Sequence, residues 1–118
     1  MTVLELSNNK VVQLQTSVVQ KLKHVKIFLI DSNKLTGLPK EIETLNFTTL
    51  AVSQNPFKCD CTTKWMKYWL RKNKHRIKNV QNVLCSSHQA VGQAMYNLSD
   101  DEFVCSTANK FKSLIITL

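Results

Sequence analysis

Three asparagines recur through the first half of the chain at a nearly constant interval, and that interval limits the folds open to it. Asn9, Asn33 and Asn55 stand 24 and 22 residues apart. Each is preceded by two apolar residues in alternation: Leu4 and Leu6, Phe28 and Ile30, Leu50 and Val52. Each is followed by another, Val11, Leu35 or Phe57. Alternation is the period of a strand, so each pair points to one side of a short extended segment. The chain then turns, and an asparagine at the turn can bond free backbone groups through its side-chain amide. Between turns the chain must come back. Gln15 to Leu22, with Val18, Val19 and Leu22, reads as one return, and Leu38 to Leu45, with Ile42 and Leu45, as another. A unit this small cannot bury its own apolar face, so copies must stack, each contacting its neighbours. The first copy is truncated at its start.

A stack has an end, where the last copy exposes an apolar edge and unpaired strand groups. The residues after the third asparagine suit that end. Pro56 has no N–H and can help end the ladder directly after Asn55. Thr62 to about Lys74 reads as a helix, with Thr62 or Asp60 able to cap its start. Trp65, Met66, Trp69 and Leu70 then form one apolar stripe, read as a lid over the edge near Phe47, Leu50 and Phe57. Lys64, Lys67, Arg71 and Lys74 fall on its other faces. Ile77 to Cys85 reads as loops with a short strand, and Ala90 to Cys105 as short helical turns anchored by Leu98 and Phe103.

Four cysteines, Cys59, Cys61, Cys85 and Cys105, make an even set. They admit two explanations. One is a pair of disulfides in an oxidising compartment. The other is a metal site, with Cys59-x-Cys61 and Cys85-x-x-His88 supplying soft ligands, although the first spacing is shorter than a zinc pair usually has. Spacing alone leaves three disulfide pairings, of which Cys59 to Cys61 closes a strained ring.

Taken together, these residues resemble a known family. Asn55-Pro56-Phe57-Lys58-Cys59-Asp60-Cys61, then Trp65 and Trp69-Leu70, then Cys85 and Cys105, closely resemble the C-terminal cap of extracellular leucine-rich repeat proteins. The asparagine repeats fit the same family, whose period runs about 20–29 residues. The resemblance spans Leu4 to Cys105 and implies an α/β fold: a leucine-rich repeat solenoid of short parallel strands ending in a disulfide-bonded helical C-terminal cap. It divides the chain into repeats at 1–54 (about two and a half), the cap at 55–105, and a linker or start of a juxtamembrane segment at 106–118. It also implies the pairs Cys59–Cys85 and Cys61–Cys105, which favours disulfides over a metal.

The details N-P-F-x-C-D-C and W-x-x-x-W-L, and the apolar Leu114-Ile115-Ile116-Thr117-Leu118, look most like the membrane-proximal end of a Toll-like receptor. That likeness implies a cell-surface ectodomain of a membrane-anchored parent chain, a protein ligand, and dimerisation with a receptor partner. Slit-like guidance proteins, variable lymphocyte receptors and adhesion receptors share the cap and bind protein or sulfated glycan. Absence of a basic, apolar leader at Met1 reads as a fragment of a longer chain.

The net charge of +8 is unevenly placed. Lys64, Lys67, Arg71, Lys72, Lys74, Arg76 and Lys78 lie between Cys61 and Ser99 with no acidic residue among them; Asp100, Asp101 and Glu102 then arrive together. This predicts one positive face, a solvated surface first and a contact for polyanions or lipid head groups second. Nucleic acid is not expected, because the stripe claims the two tryptophans that would stack bases. Asn46-Phe47-Thr48 and Asn97-Leu98-Ser99 are N-glycosylation sequons near predicted turns. His24, His75 and His88 read as surface residues. No nucleophile–base arrangement and no glycine-rich phosphate loop is present in the sequence, so neither an enzyme nor a cofactor is expected.

Overall fold

The structure, a computed structural model, describes residues 2–87 and 90–105. Three short strands, β1 (Val3–Glu5), β2 (Ile27–Leu29) and β3 (Thr49–Ala51), form a parallel sheet in chain order. The register sets Leu4 beside Phe28 and Phe28 beside Leu50. One repeat per strand therefore places equivalent apolar residues side by side. Phe28, Ile30, Leu50 and Val52 are buried, while Leu4 and Leu6 of the first copy are only half-buried. The returns are helical: α1 (Thr16–Lys21) buries Val19, and a 3-10 helix at Lys40–Thr44 buries Ile42. Pro39 directly precedes the second, where a missing N–H costs nothing.

Each strand leaves the sheet through the same turn. Asn8, Ser32 and Gln54 all have left-handed φ values, 59°, 55° and 55°. None is glycine, so each carries a steric cost of about 1–2 kcal/mol. The asparagine that follows offsets it. Asn55 Nδ2 donates to the carbonyls of Val52 (3.0 Å) and Ser53 (3.2 Å) in its own coil and of Ile30 (3.1 Å) in the coil before. Its Oδ1 accepts from the N–H groups of Leu35 (3.1 Å) and Asn33 (3.2 Å). Asn33 repeats the pattern one coil earlier. It donates to Ile30 (3.1 Å), Asp31 (3.1 Å) and Leu6 (2.9 Å), and accepts from Val11 (3.0 Å). Asn9 is exposed and bonds only Leu6 and Ser7 of its own coil. The ladder is thus two full rungs and a half rung.

The second half continues the same core. α2 (Lys64–Lys72) follows a turn at Asp60–Thr63, and further 3-10 turns span Val80–Asn82, Met95–Asn97 and Asp100–Glu102. One cluster of buried residues runs from Leu14 through Phe57, Met66 and Leu70 to Met95, Leu98 and Phe103. Among the described residues, no helix is long and apolar enough to cross a membrane. Residues 106–118, including the apolar Leu114–Leu118, and His88 lie outside the described residues.

Candidate functional site

The outer edge of β3 is where another coil would stack. Instead the backbone of residues 76–78 pairs with it. Leu50 N–H donates to the Arg76 carbonyl (2.9 Å), and Lys78 N–H donates to the Leu50 carbonyl (2.8 Å). Leu50 and Ile77 thereby form a parallel bridge. One turn on, Phe57 bridges Cys85 in the same sense, with Ser86 N–H on the Phe57 carbonyl at 2.8 Å. The ladder is therefore passed to the following segment rather than stopped at Pro56, which is exposed and lies between these two bridges.

α2 packs against the 3-10 turns at Met95–Asn97 and Lys40–Thr44, and its Trp69 lies near Leu50 and Ile77. Met66 and Leu70 are fully buried and Trp69 nearly so, because positions i, i+3 and i+4 share one helix face. Trp65, one turn before Trp69, is only half-buried; its ring centroid is 5.9 Å from that of Trp69. The stripe expected from sequence is thus narrower than four residues. The helix also starts later than expected, at Lys64. Neither Thr62 nor Asp60 caps it. The Asp60 carboxylate accepts from the Thr62 N–H (2.8 Å) in the turn before, and the buried Thr63 hydroxyl donates to the Lys58 carbonyl (2.6 Å). These bonds hold the turn that carries both cysteines.

Cys59 is bonded to Cys85 and Cys61 to Cys105, with Cα atoms 5.6 and 5.1 Å apart. The first bridge is nearly buried and ties the turn before α2 to the segment beside Phe57. The second ties the same turn to the end of the described chain. They close loops of 26 and 44 residues. By loop-closure entropy they contribute about 3.5 and 4 kcal/mol. With all four cysteines bridged, no thiolate remains to hold a metal.

One member of the basic run is not solvent-facing as expected. Lys64, Arg71, Lys72, Lys74, Arg76 and Lys78 are exposed, but Lys67 is buried. Its Nζ lies 2.7 Å from Asp100 Oδ1, and the Tyr68 hydroxyl donates to Asp100 Oδ2. The burial of Lys67 has a simple cause. Lys67 borders the stripe, one position after Met66 and three before Leu70, so its stem packs inward and its ammonium needs a partner. The acidic cluster provides it. Lys67 is therefore removed from the candidate polyanion contacts. The hydrogen bonds from Lys67 and Tyr68 hold the Asp100 carboxyl below its ordinary value, and the bond to Asp100 raises the Tyr68 phenol above its own.

Asn46 follows the 3-10 helix at Lys40–Thr44, and Asn97 ends the turn at Met95–Asn97. Both side chains are exposed, so both sequons offer an accessible amide. Sequence reasoning missed the Lys67–Asp100 pair. The signal was present in the three clustered acids, which are the only ones after Asp60.

With this geometry in place, the chain can be set beside known proteins. No family model matches it. It is 31% identical over 83 residues to the NT-3 growth factor receptor of Saimiri boliviensis boliviensis, covering 70% of this chain and 10% of that protein. It is 35% identical over 71 residues to immunoglobulin superfamily member 10 of Rattus norvegicus, covering 58% of this chain and 3% of that one. The chain thus spans about a tenth of the length of the growth factor receptors it matches. Human 5T4 (Wnt-activated inhibitory factor 1, trophoblast glycoprotein), a leucine-rich repeat protein, superposes over 89% of this chain and 39% of its own, with TM-score 0.78 and 23% identity. Toll, in the Drosophila Toll–Spatzle complex, superposes over 88% of this chain and 13% of its own, with TM-score 0.75 and 25% identity. The fold is that of leucine-rich repeats followed by their C-terminal cap. These similar proteins are receptors and binding proteins, and the two disulfides fit an oxidising, extracellular setting.

Proposed function

We propose that the chain is the C-terminal end of a cell-surface receptor ectodomain, in which residues 55–105 seal a leucine-rich repeat solenoid whose other repeats carry the ligand. The observation behind this reading is the closed edge of β3. Residues 76–78 occupy the backbone groups of Leu50, Trp69 lies beside Leu50 and Ile77, Met66 and Leu70 join the same buried core, and two disulfides fasten the arrangement. The arrangement gives a stack of coils an end that neither frays nor pairs with another sheet.

The ligand class proposed is a protein. The likeness to Toll in its complex with Spatzle, and to NT-3 growth factor receptors, supports this. Within the class we favour a Toll-like receptor near its membrane anchor, on the N-P-F-x-C-D-C and W-x-x-x-W-L details together with the fold likeness to Toll. Dimerisation with a receptor partner belongs to that narrower reading. A second reading, an adhesion or guidance ectodomain that also holds sulfated glycan, draws on the exposed Arg71, Lys72, Lys74 and Arg76. Labelling of intact cells tests the shared claim. A membrane-impermeant amine reagent should modify Lys64, Lys72 and Lys74 of the native protein from outside, and peptide mapping without reductant should recover both cross-links. Labelling only after lysis, or free thiols, would overturn it.

A further inference from the structure

Between α2 and the 3-10 helix at Lys40–Thr44 lies an open groove of about 560 Å³. That volume falls in the range of about 300–1,000 Å³ typical of small-molecule sites. Leu45, Asn46, Trp65, Trp69, Lys72 and Arg76 are among its lining residues. Two features separate it from an ordinary surface dent. Trp65 is the one member of the apolar stripe that the core leaves half uncovered, and its ring is set at 50° to that of Trp69. The groove therefore offers indole surface together with cationic donors. Asn46, at the rim, is the acceptor residue of the sequon Asn46-Phe47-Thr48. Phe47 is buried with its ring 5.5 Å from that of Phe28, so the backbone beside Asn46 is held firmly against the core.

We propose that this groove seats the first sugars of an N-linked glycan carried by Asn46. A pyranose ring has an apolar C–H face and a polar rim. An indole takes the first by contact, and ammonium, guanidinium and amide groups bond the second. Lys72 and the terminal guanidinium nitrogens of Arg76 supply those donors; Asn73 Nδ2 is engaged with the Trp69 carbonyl (2.9 Å), Arg76 Nε with His75 Nε2 (3.2 Å), and Glu43 with Lys40 (3.0 Å). A tethered sugar also needs little intrinsic affinity, because attachment at the rim gives it an effective concentration of about millimolar order. Asn97, exposed on the turn at Met95–Asn97, is not among the residues lining this groove and serves as the internal control. The inference goes beyond the receptor reading and leans on it only for attachment in the native cell; expression through any glycosylating secretory host supplies attachment otherwise.

The test uses the whole chain secreted from such a host. Four forms are compared: fully glycosylated, trimmed by endoglycosidase to a single N-acetylglucosamine, N46Q and N97Q. Occupancy is read by mass, and indole accessibility by acrylamide quenching. Only two tryptophans are present and Trp69 is nearly buried, so shielding Trp65 should lower the quenching constant about two-fold. The glycosylated, trimmed and N97Q forms should share the low value, N46Q should show the high one, and a W65F background should erase the difference. Where N46Q secretes poorly, removal of the glycan from the folded protein replaces it. An unoccupied Asn46, equal quenching with and without its glycan, or a difference that survives in W65F would overturn the proposal. Binding of a heparin tetrasaccharide at Trp65 equally well with the glycan present would also overturn it, since the occupant is then a free sugar. Surface labelling of the native protein is unaffected by any of these outcomes, so the two readings fail separately.

Discussion

Replacing Asn55 with alanine should destabilise the protein by about 3–5 kcal/mol, and the estimate follows from what its amide holds. The side chain is 6% exposed. Its removal takes the acceptor from the N–H groups of Leu35 and Asn33, and the donor from the carbonyls of Val52 and Ser53. The Ile30 carbonyl keeps the bond from Asn33 Nδ2 at 3.1 Å, and the Ser53 carbonyl keeps the one from the Ser32 N–H at 3.0 Å. A buried polar group left without a partner costs about 1–3 kcal/mol, so two orphaned N–H groups give most of the total. The left-handed turn at Gln54 loses its brace as well. A chain of this length has about 6–18 kcal/mol of stability in all, at roughly 0.05–0.15 kcal/mol per residue. The loss is therefore large enough to measure by urea denaturation with the disulfides intact, using tryptophan fluorescence and far-ultraviolet circular dichroism and requiring an unchanged m-value. Asn9→Ala is the control. Its side chain is exposed and bonds only its own coil, so the cost should stay below about 1 kcal/mol. Asn55→Asp separates the acceptor from the donor, because it keeps the acceptor but turns an oxygen toward three carbonyls at 3.0–3.2 Å. It should be at least as damaging as alanine at neutral pH and less so in acid, where protonation restores a donor. If Asn55→Ala costs no more than Asn9→Ala, the ladder does not brace the turns and the reasoning fails.

Three further expectations follow from the C-terminal half. Trp69→Ala should cost about 3–5 kcal/mol and Trp65→Ala distinctly less, by the same denaturation assay, since only the first ring is nearly buried. Equal losses would show that the core treats the two rings alike. The Asp100 carboxyl is held below its ordinary value, so its contact stabilises the fold above that value and is lost as the pH falls through the lowered one. The raised Tyr68 phenol has the opposite sign: its contribution is present below the ordinary phenol value and is lost as the pH rises past the raised one. Melting temperature against pH should therefore decline at both extremes more steeply for the native protein than for Asp100→Asn, and parallel curves would refute this. Finally, Arg71→Glu with Lys74→Glu should reduce retention on heparin in a salt-sensitive way and leave the melting temperature nearly unchanged, whereas Lys67→Glu should lower the melting temperature itself. A Lys67→Glu protein that melts like the native one would mean the pair with Asp100 does not hold α2 to the acidic turn.

What the chain shows on its face is what repeats locally. The asparagine at each turn, the alternating apolar pair before it and the helical return after it are all written within one coil, so a single reading of about two dozen residues serves for every coil. Met66, Trp69 and Leu70 are legible for the same reason, because a helix face is decided by spacing. The resemblance supplied the cysteine pairing, which spacing alone left open. Three things had to wait for the tertiary structure. The backbone of residues 76–78 takes over the edge of β3, a pairing with no signature in side-chain pattern, because backbone groups are the same in every residue. Trp65 and Trp69 look equivalent along the helix but differ in burial, because Trp65 sits at the border of the face carrying Met66, Trp69 and Leu70 and opens onto the groove beside Lys40–Thr44. Lys67 reads as one of seven solvent-facing cations. Its ammonium turns out to be committed to a carboxylate 33 residues away, since only folding sets the border of α2 against the acidic turn at Asp100.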